Sequence, residues 1–189
     1  SFTSPETIRQ IAKKHKVGLV LYQETHPWPQ RNYIDSALDQ LGKAVDFVTI
    51  WEENPDSVIS ELNASYDYIK AKYPGTKVYQ WPHTNYFDFT KLNQLKADGF
   101  IINPRWHAVD FEDFFLLPAL AIGKPIINVL YIGAGSELEG YPQYTWEYAK
   151  VQYQISAKYH VPVAIYEPFY PGFEALVKAR IELLKDSLR

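Results

Sequence analysis

Residues Val45 to Asn54 read VDFVTIWEEN, and this stretch decides the fold. Val45, Phe47, Val48, Ile50 and Trp51 are bulky or β-branched, with almost no alternation of polar and apolar positions. Such a run suits a strand buried on both faces, as in a parallel sheet, better than a half-exposed edge strand. Glu52, Glu53, Asn54 and Pro55 end it, and Asp56 or Ser57 can cap a following helix. One short segment therefore supplies a core strand, a polar tip and a helix start.

The same order of signals recurs on either side. Ser4 to His15 predicts a short helix with Ser4 as cap and Pro5 in its first turn. Val17 to Gln23 predicts the first strand, and Tyr33 to Leu41 the next helix, with Ile34, Ala37, Leu38 and Leu41 at helical spacing and Gly42 as its stop. Val58 to Tyr73 carries Val58, Ile59, Leu62, Tyr66 and Ile69 on one helical face. Lys77 to Trp81 is the third predicted strand, a helix from about Thr90 to Lys96 follows, and Phe100 to Asn103 is the fourth strand. Asp110 and Asp113 stand at capping-box spacing before FFLLPALAIG, a buried helix in which Pro118 kinks the chain or occupies a first turn. Pro125 to Ile132 and Val161 to Tyr166 are the fifth and sixth strands. Helices are expected at Trp146 to His160 and at Phe173 to Leu188, the last with Leu176, Val177, Ile181 and Leu184 on its inner face.

Strands alternating with helices imply parallel pairing through right-handed crossovers. The expected fold is α/β, one parallel, TIM-like (βα) barrel over residues 1–189. A full (βα)8 barrel takes about 250 residues, so the units visible here are most of one and the barrel is expected to be incomplete. An open doubly wound sheet is the alternative. It usually places a glycine-rich phosphate loop after its first strand, where this chain has the bulky ETHPWPQ.

Composition bounds the function classes. A net charge of −3 gives no electrostatic reason to expect a nucleic acid partner, and no apolar run is long enough to span a membrane. Aromatic residues reach 16%, including 15 tyrosines and 5 tryptophans, while cysteine and methionine are absent. Without cysteine there is no disulfide, no thiolate nucleophile and no cysteine-ligated metal. The absent methionine marks a processed or excised piece, or methionine positions missing from the sequence as read. Compartment is not fixed, with an extracellular or cell-surface setting favoured.

Ligands of parallel α/β folds sit at the carboxyl ends of the strands. The predicted ends carry Glu24, His26 and Trp28, then Trp51, Glu52 and Glu53, then Trp81 and His83. Next come Arg105, Trp106 and His107, then Tyr131 and Glu137, and finally Tyr166, Glu167 and Phe169. Aromatic faces beside carboxylates match a sugar, which needs an apolar platform and acceptors for its hydroxyls. Trp51, Trp81 and Trp106 would form that platform, with Trp28, His83, Arg105 and Tyr131 as further substrate contacts. Two carboxylates flanking a glycosidic bond give an acid and a nucleophile or base. Glu52 and Glu167 are the candidates, each directly after an aromatic residue at a strand end, and Glu24 is next. His26, His83 and His107 leave a metal-dependent hydrolase open, although no HxH or HExxH spacing supports one and no metal or cofactor is expected.

On WEEN, QWPH, NPRWH and YEP at four of these ends, the chain resembles (βα)8-barrel glycoside hydrolases in general character. The resemblance implies cleavage of a poly- or oligosaccharide. A non-catalytic carbohydrate-binding barrel of a surface or polysaccharide-assembly protein is the other reading.

Overall fold

The structure, a computed structural model, describes residues 4–14, 16–22, 31–52, 58–82, 88–103, 110–131, 146–165 and 174–186. Among them strands and helices alternate: α1 (Pro5–Ala12), β1 (Gly18–Tyr22), α2 (Arg31–Leu41), β2 (Phe47–Glu52), α3 (Ile59–Lys72), β3 (Val78–Pro82) and β4 (Gly99–Ile102), then α4 (Leu117–Ala121), β5 (Ile126–Leu130), α5 (Trp146–Lys158), β6 (Val163–Ile165) and α6 (Glu174–Asp186). The sheet order is β1-β2-β3-β4-β5-β6, and every described pair is parallel. The fold is thus the expected parallel α/β type. The chain divides into two compact units, Ser1–Phe100 and Ile101–Arg189.

In the first unit, Leu21, Ile50, Gln80 and Phe100 stand in register across four strands, and all four are fully buried. Gln80 shows which face this is. Its Nε2 donates to Leu62 O of α3 at 3.4 Å and to Lys96 O at 3.2 Å, so this row lies beneath the crossover segments. The neighbouring row runs through Val20, Thr49 and Tyr79. There Phe47 stacks on Tyr79, ring centroids 4.7 Å apart. Opposite Phe47 in register is Gly18, where a Cβ would come within 2.4 Å of the Phe47 ring. Any Cβ there would force the tip of that ring to move.

The strand starts are fastened by a device used twice. Asp46, just before β2, donates its backbone N–H to Val17 O at 2.8 Å and accepts Val17 N–H on its carboxylate at 2.7 Å. Asp98, just before β4, does the same with Val78, at 2.8 and 2.9 Å. Each aspartate satisfies an N–H at the entry of the preceding strand, with a charge-assisted bond. Asp98 also accepts from Tyr66 Oη and Lys70 Nζ, both at 3.0 Å. Asn63 of α3 closes the same region, donating to Gln94 O and accepting from Lys96 N–H.

Tyrosines also join α2 to α3. Asp35 accepts from Tyr68 Oη at 2.8 Å, from Tyr73 Oη at 3.1 Å and from Lys72 Nζ at 2.7 Å. The Arg31 guanidinium lies 5.1 Å from the Tyr68 ring centroid. Part of the aromatic excess is therefore structural fastening.

In the second unit, β5 and β6 pair with Asn128 opposite Val163 and Leu130 opposite Ile165. Leu130, Ala149 and Leu184 form a buried cluster, with Trp146, Tyr153, Val163, Val177 and Ile181 packed on it. Asn128 Nδ2 donates to Ser156 Oγ at 3.0 Å, and that hydroxyl donates to Gln152 O at 2.7 Å. A polar strand residue is again anchored to a helix.

Several expectations need correction. The 90–96 helix is a 3-10 helix, Phe89–Gln94, capped by Asp88, whose side chain accepts from Thr90 N–H. Asp110 makes no side-chain capping bond, and the chain enters a π-helix, Phe111–Leu116, before α4. Pro118 explains the wider turn: it has no N–H for the carbonyl four residues back, and Leu117 N–H reaches Glu112 O instead. Leu176, expected on the inner face of α6, is 40% exposed. His160 ends the helix that includes α5 with φ of 56°, a left-handed stop that excludes continuation.

The Asp98 cluster gives a pH signature. Burial pushes its carboxyl up, but the bonds from Val78 N–H, Lys70 and Tyr66 more than offset this and hold it below the ordinary value. A depressed carboxyl stabilises the fold above the unfolded-state pKa and loses that contribution as pH falls through the folded one. Asp98→Asn should therefore be less stable than wild type by about 1–2 kcal/mol at pH 7. That gap should narrow below about pH 4, as the wild-type carboxyl protonates. Urea midpoints at pH 7 and pH 3 check this, and an equal gap at both would show that the charge of Asp98 contributes nothing.

Candidate functional site at the strand carboxyl ends

Parallel pairing brings the carboxyl ends of β1, β2 and β3 together within the first unit. Tyr22 is in register with Trp51, Trp51 with Trp81, and Glu52 with Pro82. Neighbouring strands lie about 4.8 Å apart, so in-register positions are adjacent. Glu52 is the last residue of β2, where a carboxylate at the tip was expected. Trp81 keeps only 7% of its surface exposed, so its ring is largely committed to packing.

In the second unit, the residue just past β4 is Asn103 and the residue just past β5 is Tyr131. Asn103 is 3% exposed. Its Nδ2 donates to Tyr131 Oη at 3.3 Å, and Tyr131 itself is half-buried. A buried amide thus holds a phenol at a strand end. The sequence reading named Tyr131 but passed over Asn103, taking it as the last residue of an apolar strand. The available signal was a polar amide closing the run FII.

Glu24, His26, Trp28, His83, Arg105, Trp106, His107, Glu137 and Glu167 lie outside the described residues. Trp51 and Glu52 are therefore placed by strand register, and Asn103, Tyr131 and Trp81 by their side chains as well. Among the described residues, no group of three or more His, Asp or Glu could hold a metal. No helix among them is long and apolar enough to cross a membrane.

A groove of about 690 Å³ lies at the opposite, amino-terminal ends of the strands, lined in part by Arg9, Asp39, Lys43, Asp46, Tyr73 and Thr76. Its polar groups are largely engaged in structure. Asp46 holds Val17, Arg9 donates to Gln40 O at 2.9 Å, and Tyr73 donates to Asp39 at 2.8 Å. Burial first, then the bonds to Asp39 and Asp35, push the Tyr73 phenol up to about 12, which keeps it a donor. Asp35 is held below the usual carboxylate range, mainly by Lys72.

No protein-family model matches the chain, and no curated protein matches it.

The burial of Trp81 predicts a packing defect on truncation. Trp81→Ala should lower the unfolding free energy by about 3–5 kcal/mol, as for other buried large side chains. Trp81→Phe should recover much of that loss in the same urea titration. A near-neutral alanine variant would show that the ring packs against nothing that matters to stability.

Proposed function

We propose that this chain is a parallel (βα)-barrel protein that takes a poly- or oligosaccharide at the carboxyl ends of its strands. We further propose that it cleaves a glycosidic bond there, with Glu52 and Glu167 as the carboxylate pair. The observation that carries the reading is the register of Trp51 beside Trp81, with Glu52 next along β2 at the end of a parallel strand. Parallel α/β folds take ligands at this end. In the second unit, Asn103 and Tyr131 also stand just past strand ends, hydrogen-bonded to each other. Because Trp81 is mostly packed, Trp51 carries the larger share of the platform in this proposal, with Trp106.

In the proposed chemistry one carboxylic acid protonates the leaving oxygen. The other carboxylate attacks the anomeric carbon or activates a water, and the separation of the two decides which.

Incubating the protein with a panel of β-glucan, xylan, mannan, chitin and α-glucan, and measuring released reducing ends, tests the reading. Glu52→Gln and Glu167→Gln should each lower the rate by about 10²–10⁴-fold while retaining glycan binding. Binding without release by the wild type would make this a non-catalytic carbohydrate-binding barrel. No binding to any of the panel would remove the carbohydrate reading altogether.

A further inference from the structure

We propose that a pocket between the carboxyl-terminal ends of α1 and α2 binds a phosphate group, a function separate from the carbohydrate reading above. The pocket encloses about 370 Å³ and is lined by Arg9, Ala12, Lys13, Gln40, Lys43 and Ala44. Three of these residues are cations and none is a carboxylate. Arg9 is held across the two helices: its Nη2 donates to Gln40 O at 2.9 Å and its Nη1 to Glu6 at 3.3 Å. A guanidinium carries five N–H donors in a planar fork, so donors remain for an oxyanion. Lys43 is placed by the turn that ends α2. There Gly42 N–H donates to Leu38 O and Ala44 N–H to Leu41 O, both at 2.8 Å. A Cβ on Gly42 would come within 2.6 Å of Leu38 O, so the tight turn depends on that glycine.

Elsewhere the lysines find carboxylates. Lys70 reaches Asp98, Lys72 reaches Asp35, and Lys158 reaches Glu112. Lys13 has the neutral Gln10 amide instead, at 3.1 Å, and Lys43 has no ion pair among the described residues. Asp39 and Asp46 line the adjoining groove, not this pocket, and accept from Tyr73 and Val17. One cation near a helix carboxyl end is favourable by itself. Three around one pocket repel one another, and Glu6 offsets only one of them. An anion seated among them relieves the rest. A planar fork beside two ammonium groups suits the several oxygens of a phosphate. Arg9, Gln40 and Lys43 also border the groove of about 690 Å³, so a phosphate ester has room for its organic part.

Calorimetric titration of the full chain with inorganic phosphate and with glucose 6-phosphate, at constant ionic strength, tests this. Tighter binding of the ester assigns the pocket to an ester, and equal binding assigns it to free phosphate. Lys43→Gln should weaken the binding of both about tenfold, the loss of one charge-assisted hydrogen bond, with the ligand-free Tm unchanged. Lys43→Arg should retain it. Lys178→Gln removes the same charge outside the pocket lining and should leave affinity as it was. Affinity should also rise with pH through about 6, where a phosphate ester loses its second proton. No binding of either phosphate with a Kd below about 1 mM, unchanged affinity in Lys43→Gln, or an equal loss in Lys178→Gln would overturn the inference. The carbohydrate reading would stand in each of those cases.

Discussion

The N–H group at the entry of a strand lies beyond the regular ladder and needs an acceptor, and this constraint shapes the strand starts of the first unit. Asp46 and Asp98 answer it in the same way, each pairing through backbone N–H and carboxylate with the residue that opens the strand before it. The carboxylate takes the place of a strand partner at the edge of the ladder, where a missing acceptor would leave a donor without a bond. Both aspartates directly precede a strand of their own. One residue therefore joins the starts of two consecutive strands, Asp46 those of β1 and β2 and Asp98 those of β3 and β4, while between β2 and β3 Val48 N–H donates to Lys77 O at 2.8 Å.

The crossover helices extend the same logic. Gln80 in β3 and Asn128 in β5 are fully buried polar residues in otherwise apolar strands, and each donates to a helix-side acceptor. Gln80 Oε1, Asn128 Oδ1 and the buried Thr49 Oγ1 have no partner among the described residues. Tyr66, Tyr68, Tyr73 and Tyr159 spend their hydroxyls on carboxylates of neighbouring elements. A tyrosine-rich composition suggests ligand stacking, yet these rings serve as amphipathic fasteners, apolar along the ring and hydrogen-bonded at the tip.

Much of the architecture was legible in the sequence because hydrophobic runs and punctuation agree. VDFVTIWEEN predicted a strand over Val45–Trp51, and β2 spans Phe47–Glu52. Ser4 caps α1 as its spacing implies, accepting from Thr7 N–H. Local pattern failed where a tertiary or backbone constraint overrode it. Asp110 and Asp113 have capping-box spacing, but Asp110 makes no side-chain capping bond and a π-helix leads into α4, whose first turn holds Pro118, one of the two places expected for it. Leu176 shares a helical period with Val177 and Ile181, yet only the latter two pack on the Leu130 cluster. At the candidate site, Trp51, Glu52 and Trp81 were readable because they end an apolar run. Asn103 was not, since its role appears only when β4 and β5 bring it to Tyr131, 28 residues further along the chain.

The central claim is that ligand is met at the carboxyl ends of the parallel strands. Backbone-amide chemical-shift mapping during titration with an oligosaccharide that the chain binds tests it most directly. The account predicts that the largest shifts in the first unit fall at Trp51, Glu52 and Trp81. Shifts gathered instead around Lys43, Asp46 and Thr76, in the groove at the amino-terminal ends, would contradict it and move the site to the other end of the strands.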